Sequence, residues 1–275
     1  MDELLRARGP FRLDEIDCSS TPGIAAGKKR AGQLMVEGAE HLGALQERLF
    51  AASRVGDAPH RVLLVLQAMD TAGKGGIVRH VVGAVDPQGV QLTAFKKPTP
   101  DELAHHFLWR IKQQLPSAGM IGVFDRSHYE DVLIGRVREL APAVEIERRY
   151  GEIVNFERRL ADDGVAIIKV MLHISGKEQK ARLGVRLARP DKHWKYRPGD
   201  IDERMLWPDY QRAYQLAIER TDADHAPWYV VPANHKWYAR LAVQTLLISA
   251  LERIDPQWPV ADFDVAVEKA RLATT

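Results

Sequence analysis

One stretch of the sequence constrains the fold more than any other: a continuous apolar run that leads directly into a glycine-rich turn. Residues 61–67 (RVLLVLQ) carry five consecutive apolar side chains at 62–66, which is typical of a strand covered on both faces. Residues 68–76 (AMDTAGKGG) follow, and a candidate helix spans 75–85. This order of strand, turn and helix predicts a phosphate-binding loop, because backbone N–H groups and the helix N-terminus attract anions.

The predicted loop keeps the lysine of the common pattern GxxxxGK[ST], Lys74, but differs from that pattern at two positions. Ala68 replaces the first glycine, and Gly75 replaces the hydroxyl residue that ordinarily binds magnesium. Asp70 is expected to take the place of that hydroxyl as a hard oxygen ligand. A glycine-rich turn with a chance lysine is the alternative interpretation. The other residues expected to line a bound phosphate are Met69, Thr71, Ala72, Gly73, Gly75 and Gly76.

A second acidic residue stands at the end of another apolar run. Residues 120–124 (MIGVF) predict a strand, and Asp125 and Arg126 follow it directly. Ligands of open parallel sheets bind beyond the carboxyl ends of the strands, so Asp70 and Asp125 are expected to face each other and to hold magnesium. Arg126 is expected to contact the transferred phosphoryl group bidentately. Glu130 is a further acidic candidate, and its alternative role is to favour a helix N-terminus by its charge.

Basic residues are concentrated in one segment, 177–197. It contains eight Lys or Arg residues and two acidic ones, so it carries +6 and leaves −4 for the rest of a chain whose net charge is +2. A local positive charge on a mildly acidic body indicates a bound anion. Arg182, Arg186 and Arg189 recur at helical spacing and are expected to share one face of a lid, although a solvated charged helix is the alternative. Lys96 is a further candidate for a phosphate contact.

The rest of the chain alternates between predicted strands and helices, which indicates an α/β fold with a parallel sheet and helices on both faces. The further predicted strands cover 90–95, 165–172 and 228–231. The predicted helices cover 33–53, 75–85, 100–114, 129–138, 145–160, 201–221 and 236–251. We expect a single domain over 31–255 with a basic lid at about 176–205. The flanking segments are an N-terminal extension, expected to be an extended surface arm (1–30), and a C-terminal tail (256–275).

Composition narrows the choice of partners and compartment. A net charge of +2 over 275 residues gives no electrostatic argument for nucleic acid or a membrane surface as a partner. The longest apolar run, 241–251, is too short to span a bilayer, which takes about 20 apolar residues. The first residues alternate charges and lack the apolar core of a signal peptide, and the single cysteine, Cys18, suits a reducing compartment. We therefore expect a cytoplasmic protein.

Six segments, in the expected order, resemble the polyphosphate kinase 2 family. A set of this size, spread over about residues 30 to 250, is far more specific than one degenerate loop. The form of the first two segments is closest to members that phosphorylate both AMP and ADP. The segments are 68–76 (AMDTAGKGG), 124–132 (FDRSHYEDV), 192–195 (KHWK), 200–210 (DIDERMLWPDY), 225–229 (HAPWY) and 234–238 (NHKWY).

The resemblance implies a three-layer α/β/α fold of the P-loop kinase type, related to thymidylate kinases, with a helical lid over a phosphate channel. It implies reversible transfer of the terminal phosphoryl group of inorganic polyphosphate to AMP, ADP or other nucleotides, with magnesium or manganese as the metal. It also implies a homo-oligomer, either a dimer or a tetramer. By their positions in the motifs, Asp70 and Asp125 are implied to bind the metal, and Lys74 and Arg126 to make the catalytic phosphate contacts. The lid contacts fall to Arg182, Arg186, Lys192 and Lys195.

Two other functions fit the same loop. The first is an ATP-dependent nucleotide kinase on the same fold, whose nucleotide donor would not require eight basic residues in the lid segment. The second is a non-catalytic phosphate-binding module. The presence of Asp70, Lys74 and Asp125 argues against lost chemistry. An assay in which polyphosphate replaces ATP separates the kinase alternative from polyphosphate-dependent transfer.

Overall fold

The computed structural model describes residues 1–25, 27–55 and 59–275, and a five-stranded parallel sheet lies at their centre. The strands are β1 (Arg61–Ala68), β2 (Val90–Ala94), β3 (Ile121–Asp125), β4 (Val165–His173) and β5 (Trp228–Pro232). Their order across the sheet is β2-β3-β1-β4-β5, and every pairing is parallel. All five predicted strands are confirmed, and their ends differ from the predicted ends by at most one residue.

Twelve helices surround the sheet in the described part of the chain. They are α1 (Asp2–Leu5), α2 (Lys28–Val55), α3 (Lys74–His80), α4 (Pro100–Leu103), α5 (Trp109–Lys112), α6 (Ile134–Val137), α7 (Ala143–Asp162), α8 (Gly176–Ala188), α9 (Gly199–Met205), α10 (Trp207–Thr221), α11 (Lys236–Ile254) and α12 (Val265–Leu272). Short 3₁₀ turns lie at Leu13–Glu15, Val82–Ala84, Pro87–Gly89, His128–Asp131 and Pro190–Lys195. No helix among the described residues combines the length and apolar character needed to cross a membrane.

The sheet is covered on both faces, because the side chains of β1 alternate between two hydrophobic clusters. Val62, Leu64 and Leu66 pack with residues of α2, α3 and α11. Leu63 and Val65 pack on the opposite face with residues of α7 and α10. All five side chains are buried, which is why the apolar run in the sequence is continuous rather than alternating. The predicted three-layer α/β/α fold is confirmed.

Four predicted helices are each divided into two pieces in the structure, and the first of them, 75–85, becomes α3 followed by the 3₁₀ turn Val82–Ala84. Between α4 and α5, a ring nitrogen of His106 accepts the Leu108 N–H (3.3 Å) while its other ring nitrogen contacts Glu152 (3.0 Å), so the helix does not continue. The predicted helix 129–138 becomes the 3₁₀ turn His128–Asp131 followed by α6. Between α9 and α10, Pro208 has no N–H to donate and therefore starts a new helix in its first turn.

The N-terminal segment is anchored more firmly than the predicted surface arm. Leu5, Ala7 and Leu13 are all buried. The Ala7 N–H donates to the carbonyl of Trp228 (2.9 Å). The segment therefore covers part of β5, the edge strand of the sheet, whose backbone groups would otherwise be open to pairing with another chain. In this respect the expectation of a surface arm is wrong.

A fully buried polar network joins β4 to the turn after β3. The Lys169 ammonium donates to the Glu157 carboxylate (2.7 Å), the Tyr129 hydroxyl (2.9 Å) and the Thr221 carbonyl (2.7 Å). Glu157 also accepts from the Tyr129 hydroxyl (2.9 Å) and contacts the His128 ring (3.1 Å). Burial opposes the charge on Glu157, but Lys169 and His128 outweigh it and hold the pKa of that carboxyl below its ordinary value. Burial lowers the pKa of Lys169, which Glu157 opposes, and the two groups lie in direct contact (2.7 Å) in the core.

Replacing Lys169 by Met should lower the free energy of unfolding by about 3–5 kcal/mol, because the Glu157 carboxylate is then buried without its cation. Denaturant unfolding of the purified variant measures this loss. The double variant Lys169→Met/Glu157→Gln should lose clearly less, since no charge is left unpaired. Equal stability of Lys169→Met and the parent protein would show that the pair is dispensable.

Candidate active site

Two loops meet at the carboxyl edge of the sheet because β1 and β3 are parallel neighbours. Leu66 is in register with Asp125, and the Arg126 N–H donates to the Leu66 carbonyl (3.0 Å). The turn that follows β1 therefore begins beside the end of β3. The structure brings Asp70 and Lys74 of that turn within ion-pair distance of Arg126 and Asp125 respectively.

Two side chains of the loop after β1 anchor it, one in the hydrophobic cluster on each face of the sheet. Met69 is buried in the cluster that contains α7, whereas Ala72 is buried in the cluster that contains α3. Thr71 (φ 67°) and Gly73 (φ 126°) adopt backbone angles that bend the chain between these anchors. Because the side chains of Met69 and Ala72 point into the core, these two residues can meet a ligand only through their backbone.

The carbonyl groups of the loop are bound by the neighbouring helix α8. Gln179 donates to the carbonyl of Asp70 (3.3 Å), and Arg182 donates to those of Thr71 (3.0 Å) and Ala72 (2.8 Å). The Ala72 carbonyl and the Gly73 N–H belong to one peptide unit and point in opposite directions, so the bond from Arg182 turns the Gly73 N–H away from α8. Three backbone N–H groups at the start of α3 have no acceptor among the described residues, namely those of Gly73, Lys74 and Gly75. The loop therefore presents free backbone donors, as an anion site requires.

Arg182 is buried and uses its guanidinium entirely within the protein. Besides the two loop carbonyls, it donates to the carbonyls of Ala233 (2.7 Å) and Asn234 (3.0 Å) and to the Glu178 carboxylate (2.7 Å). A guanidinium has five N–H donors, so none is left for a phosphate. This placement corrects the expected lid contact: Arg182 ties the phosphate loop to the segment between β5 and α11.

The four charged residues predicted at the reacting centre form loose ion pairs. The Lys74 ammonium lies 3.9 Å from Asp125 Oδ1 and 3.4 Å from the Ala68 carbonyl. Arg126 Nη2 lies 3.4 Å from Asp70 Oδ1. The side chains of Asp70 and Asp125 are about one third exposed, and that of Arg126 is 41% exposed. These charges are thus close to one another and weakly engaged, and Asp70, Asp125 and Arg126 are partly open to a ligand, whereas the Lys74 side chain is 12% exposed.

Glu130 forms an ion pair with Arg126. Arg126 Nη1 lies 3.4 Å from Glu130 Oε2. Burial raises the pKa of Glu130 despite the nearby charges of Arg126 and Lys74. With its amide oriented to satisfy both neighbours, Gln67 donates to Glu130 (3.0 Å) and accepts from the Ser127 hydroxyl (3.1 Å). The end of β1 is therefore bonded to the turn that carries Arg126.

The donor set suits a magnesium ion that also binds phosphate. Asp70 and Asp125 supply carboxylate oxygens, and magnesium commonly takes only one or two carboxylates beside phosphates and water. The Thr71 hydroxyl, next to Asp70 in the chain, is buried without a hydrogen-bond partner among the described residues. No cluster of three His, Cys, Asp or Glu side chains suited to a metal occurs in that part of the chain. The residues therefore fit a metal shared with a ligand rather than one caged by protein.

The other predicted phosphate contacts lie in the basic segment and just after β2. Arg186 donates to the Lys195 carbonyl (2.9 Å) and to the Asp200 carboxylate (3.1 Å). Lys192 is partly buried, and the exposed Lys195 has its ammonium 4.7 Å from the Trp194 ring centre. Lys96 is exposed just beyond β2. Their contacts with phosphate stay predictions.

Several residues of the site were missed by sequence reasoning. Asp200 pairs with Arg186, and burial together with the nearby charge of Asp70 raises its pKa. Gln179 holds the loop and is itself bonded by Arg204 (2.8 Å). Gln179 lies in the basic segment, where no pattern marks it, and although Asp200 begins the family-like segment 200–210, the sequence does not show that it lies near Asp70.

The family to which the chain belongs follows from a match over most of its length. The family described as "Polyphosphate kinase 2 (PPK2)" matches residues 33–259. The chain belongs to the polyphosphate kinase 2 family. The resemblance seen in the six sequence segments is therefore confirmed, and every residue of the site described above lies within the matched range.

Individual relatives agree with this assignment. The AMP/ADP-polyphosphate phosphotransferase of Meiothermus ruber is 45% identical over 251 residues, which are 91% of this chain and 92% of the relative. The ADP-polyphosphate phosphotransferase of Rhodopseudomonas palustris is 41% identical, over 84% and 83% of the two chains. A crystal structure of polyphosphate kinase 2 from Arthrobacter aurescens TC1 superposes with a TM-score of 0.97 at 57% identity, over 99% and 96% of the two chains. The fold is thus that of this family of kinases.

Replacing Arg182 by Lys should lower kcat for phosphoryl transfer roughly tenfold to a hundredfold, because an ammonium cannot hold four carbonyls and the loop amides lose their position. Steady-state kinetics and thermal unfolding of the same preparation measure the effect. Arg159→Lys is the matched control, since Arg159 is exposed on α7 and has no side-chain partner among the described residues. Normal kcat in a stable Arg182→Lys protein would show that the clamp does not position the loop.

Proposed function

We propose that this chain transfers the terminal phosphoryl group of inorganic polyphosphate to AMP and to ADP, in a reversible reaction. One observation carries the proposal. Asp70, Lys74, Asp125 and Arg126 converge on a phosphate loop in a chain that is 45% identical, over 91% of its length, to an AMP/ADP-polyphosphate phosphotransferase. The +6 charge of segment 177–197 supports a polyanionic donor.

The donor's terminal phosphate binds at the loop. The free N–H groups of Gly73, Lys74 and Gly75 face its oxygen atoms, and the Lys74 ammonium adds a full positive charge. Lys74 is held only by long contacts, to the Ala68 carbonyl (3.4 Å) and to Asp125 (3.9 Å), so it can turn to the phosphate without breaking a strong hydrogen bond. The loop thereby offsets charge on the group that is transferred.

Magnesium is the metal that this donor set favours, with manganese as an alternative. Asp70 and Asp125 would hold it, with Asp70 in place of the hydroxyl residue replaced by Gly75, and the unpartnered Thr71 hydroxyl would contribute a further oxygen. When bound, the ion neutralises negative charge on phosphate oxygens and links the donor to the protein. The carboxylates then no longer need Lys74 and Arg126 as partners, which leaves both cations for the phosphates.

Transfer needs no strong base, because the attacking oxygen of AMP or ADP is already a phosphate oxyanion at neutral pH. The chain's contribution is therefore orientation and charge neutralisation. Arg126 is placed to hold the phosphoryl group between donor and acceptor, and Glu130 keeps its guanidinium in position. Burial works against the charge on Arg126, but Glu130 and Asp70 outweigh it and raise its pKa, so Arg126 stays a cation.

The predicted contacts outside the loop complete the anion site. Arg186 has donors beyond those that bond Lys195 and Asp200, and these are available to phosphate. Lys192 and Lys195 lie on the same basic segment, while Lys96 lies at the end of β2, on the carboxyl edge of the sheet. We assign Arg186, Lys192 and Lys195 to the polyphosphate side and Lys96 to the acceptor phosphate.

Product analysis tests the donor and both acceptors. The purified protein is incubated with polyphosphate, magnesium and either AMP or ADP, without ATP, and nucleotides are separated by chromatography. We expect ADP from AMP and ATP from ADP. Lys74→Ala should reduce both rates by at least about a hundredfold, because the cation at the loop is lost.

Other products of the same incubation would lead to other assignments. ATP from ADP, without a product from AMP, would restrict the enzyme to diphosphate acceptors. Phosphorylation of AMP by ATP, without any reaction from polyphosphate, would establish the ATP-dependent alternative. Phosphate binding without turnover from either donor would identify a non-catalytic module.

We also propose that copies of the chain associate into a dimer or a tetramer. Exposed apolar side chains near the C-terminus support association, and they are Trp258, Val260, Phe263 and Leu272. Light scattering coupled to size exclusion should give a mass of two or four chains of 31.0 kDa. A single 31.0 kDa species at working concentrations would contradict this proposal.

A further inference from the structure

A buried arginine on α5 joins the chain after β2 to the turn after β3. The side chain of Arg110 is 7% exposed. Its Nη1 donates to the Lys96 carbonyl (2.9 Å), and its Nη2 lies 3.9 Å from Asp131 Oδ2. Lys96 belongs to residues 95–98 (FKKP), which follow β2 directly and are named here the 95–98 segment. Asp131 ends the 3₁₀ turn that begins shortly after Arg126, so Arg110 bridges this turn and the 95–98 segment.

The 95–98 segment is also held at its first residue. The Phe95 N–H donates to the Asp125 carbonyl (3.0 Å), and the Phe95 ring packs edge-on against the Phe124 ring, with 4.9 Å between the ring centres. The Arg110 guanidinium lies 5.5 Å from the centre of the Phe95 ring, close enough for a cation–π contact. The backbone around Lys96 is therefore fixed at the preceding N–H and at its own carbonyl, whereas the Lys96 side chain is exposed.

The bridge depends on the shape of a guanidinium. Two different nitrogen atoms of Arg110 face the Lys96 carbonyl and the Asp131 carboxylate. A planar fork can serve both partners at once, whereas an ammonium is a single point of charge on a flexible chain. Because Arg110 is buried, its bond to the Lys96 carbonyl cannot be given up for a phosphate without leaving that carbonyl unsatisfied.

We propose that Arg110 is a positioning residue for the acceptor nucleotide. By holding the Lys96 carbonyl against the turn after β3, it sets the place of the Lys96 ammonium relative to Arg126. The inference rests on the proposed function, which assigns Lys96 to the acceptor phosphate and Arg126 to the transferred phosphoryl group. The attacking oxygen must lie in line with that group, and a displacement of about 1 Å can reduce the rate on the order of a hundredfold. Arg182 fixes the phosphate loop on the donor side by similar bonds to carbonyls.

Replacing Arg110 by Lys keeps a charge beside Asp131 but removes the bridge, so the Lys96 ammonium loses its fixed position. KM for ADP should rise about fivefold to tenfold and kcat should fall about tenfold, while KM for polyphosphate should change less than about twofold. Steady-state kinetics with each substrate varied in turn measure this difference. Calorimetry with ADP and magnesium, without polyphosphate, should show ADP affinity weakened by about the same factor as KM.

A matched control is Arg149→Lys. Arg149 is 13% exposed and contacts the same Asp131 carboxylate (3.4 Å), but its hydrogen bonds in the described part of the chain go to Asp131 and Glu145 rather than to the 95–98 segment. Its KM for ADP should stay within about twofold of the parent value. Thermal unfolding shows whether each variant is folded. Asp131→Asn, which keeps the side-chain shape, releases the other end of the bridge and should also raise KM for ADP more than KM for polyphosphate.

A double variant tests whether Arg110 acts through Lys96. Lys96→Ala alone should weaken ADP binding, because the acceptor phosphate loses its cation. In Lys96→Ala/Arg110→Lys, ADP affinity should be within about twofold of that in Lys96→Ala, since the group that Arg110 positions is already gone. A merely structural role would instead add its full loss to that of Lys96→Ala.

Three results would overturn the proposal: unchanged ADP affinity in folded Arg110→Lys, additive losses in the double variant, or equal rises in KM for ADP and for polyphosphate. Failure of the proposed donor is a separate result, because the parent protein would then give no product from polyphosphate. Calorimetry with ADP would still test Arg110 in that case, since it uses no donor. A selective loss of ADP affinity that disappears in the Lys96→Ala background supports the positioning role.

Discussion

The phosphate loop can turn its N–H groups to an anion only if its carbonyl groups are satisfied elsewhere. A buried carbonyl without a partner costs about 1–3 kcal/mol. Helix α8 meets this requirement, because Gln179 and Arg182 bind three successive carbonyls of the loop. Arg182 also binds the chain before α11, so the loop, the start of the basic segment and the segment between β5 and α11 form one bonded unit. The position of every proposed phosphate contact near the loop depends on this unit.

The loop and the turn after β3 each contain a residue with unfavourable backbone angles. Thr71 (φ 67°) and Arg126 (φ 66°) lie in the left-handed region, which costs of the order of 1–3 kcal/mol for such residues when nothing compensates. The Arg126 N–H is fixed to Leu66, and the following turn enters the buried network around Lys169. The network thus supports the turn that carries Arg126. Its ion pair stabilises the geometry of the site from within the core.

The sheet and the convergence of the two acidic loops were predictable from the sequence, because both depend on patterns of residues that are close together in the chain. The run 61–67 is continuous since both faces of β1 are covered, and parallel strands place their carboxyl ends at one edge. No such sequence pattern indicates where a long side chain points. Arg182 was therefore assigned to a ligand although it bonds the protein. The break at His106 depends on Glu152, which is distant in sequence.

Distance and burial together distinguish cations that bind ligands from cations that hold the fold. The contacts of Arg182 are 2.7–3.0 Å long and lie in the interior, so exchanging them for a phosphate would leave carbonyls unsatisfied. The pairs made by Lys74 and Arg126 are 3.4–3.9 Å long, and such contacts can be exchanged for a phosphate at little cost. Arg240 has neither kind of partner in the described chain. A count of basic residues in the sequence does not distinguish these three situations, whereas the structure does. The distinction matters because only unsatisfied or loosely satisfied donors gain free energy when an anion binds.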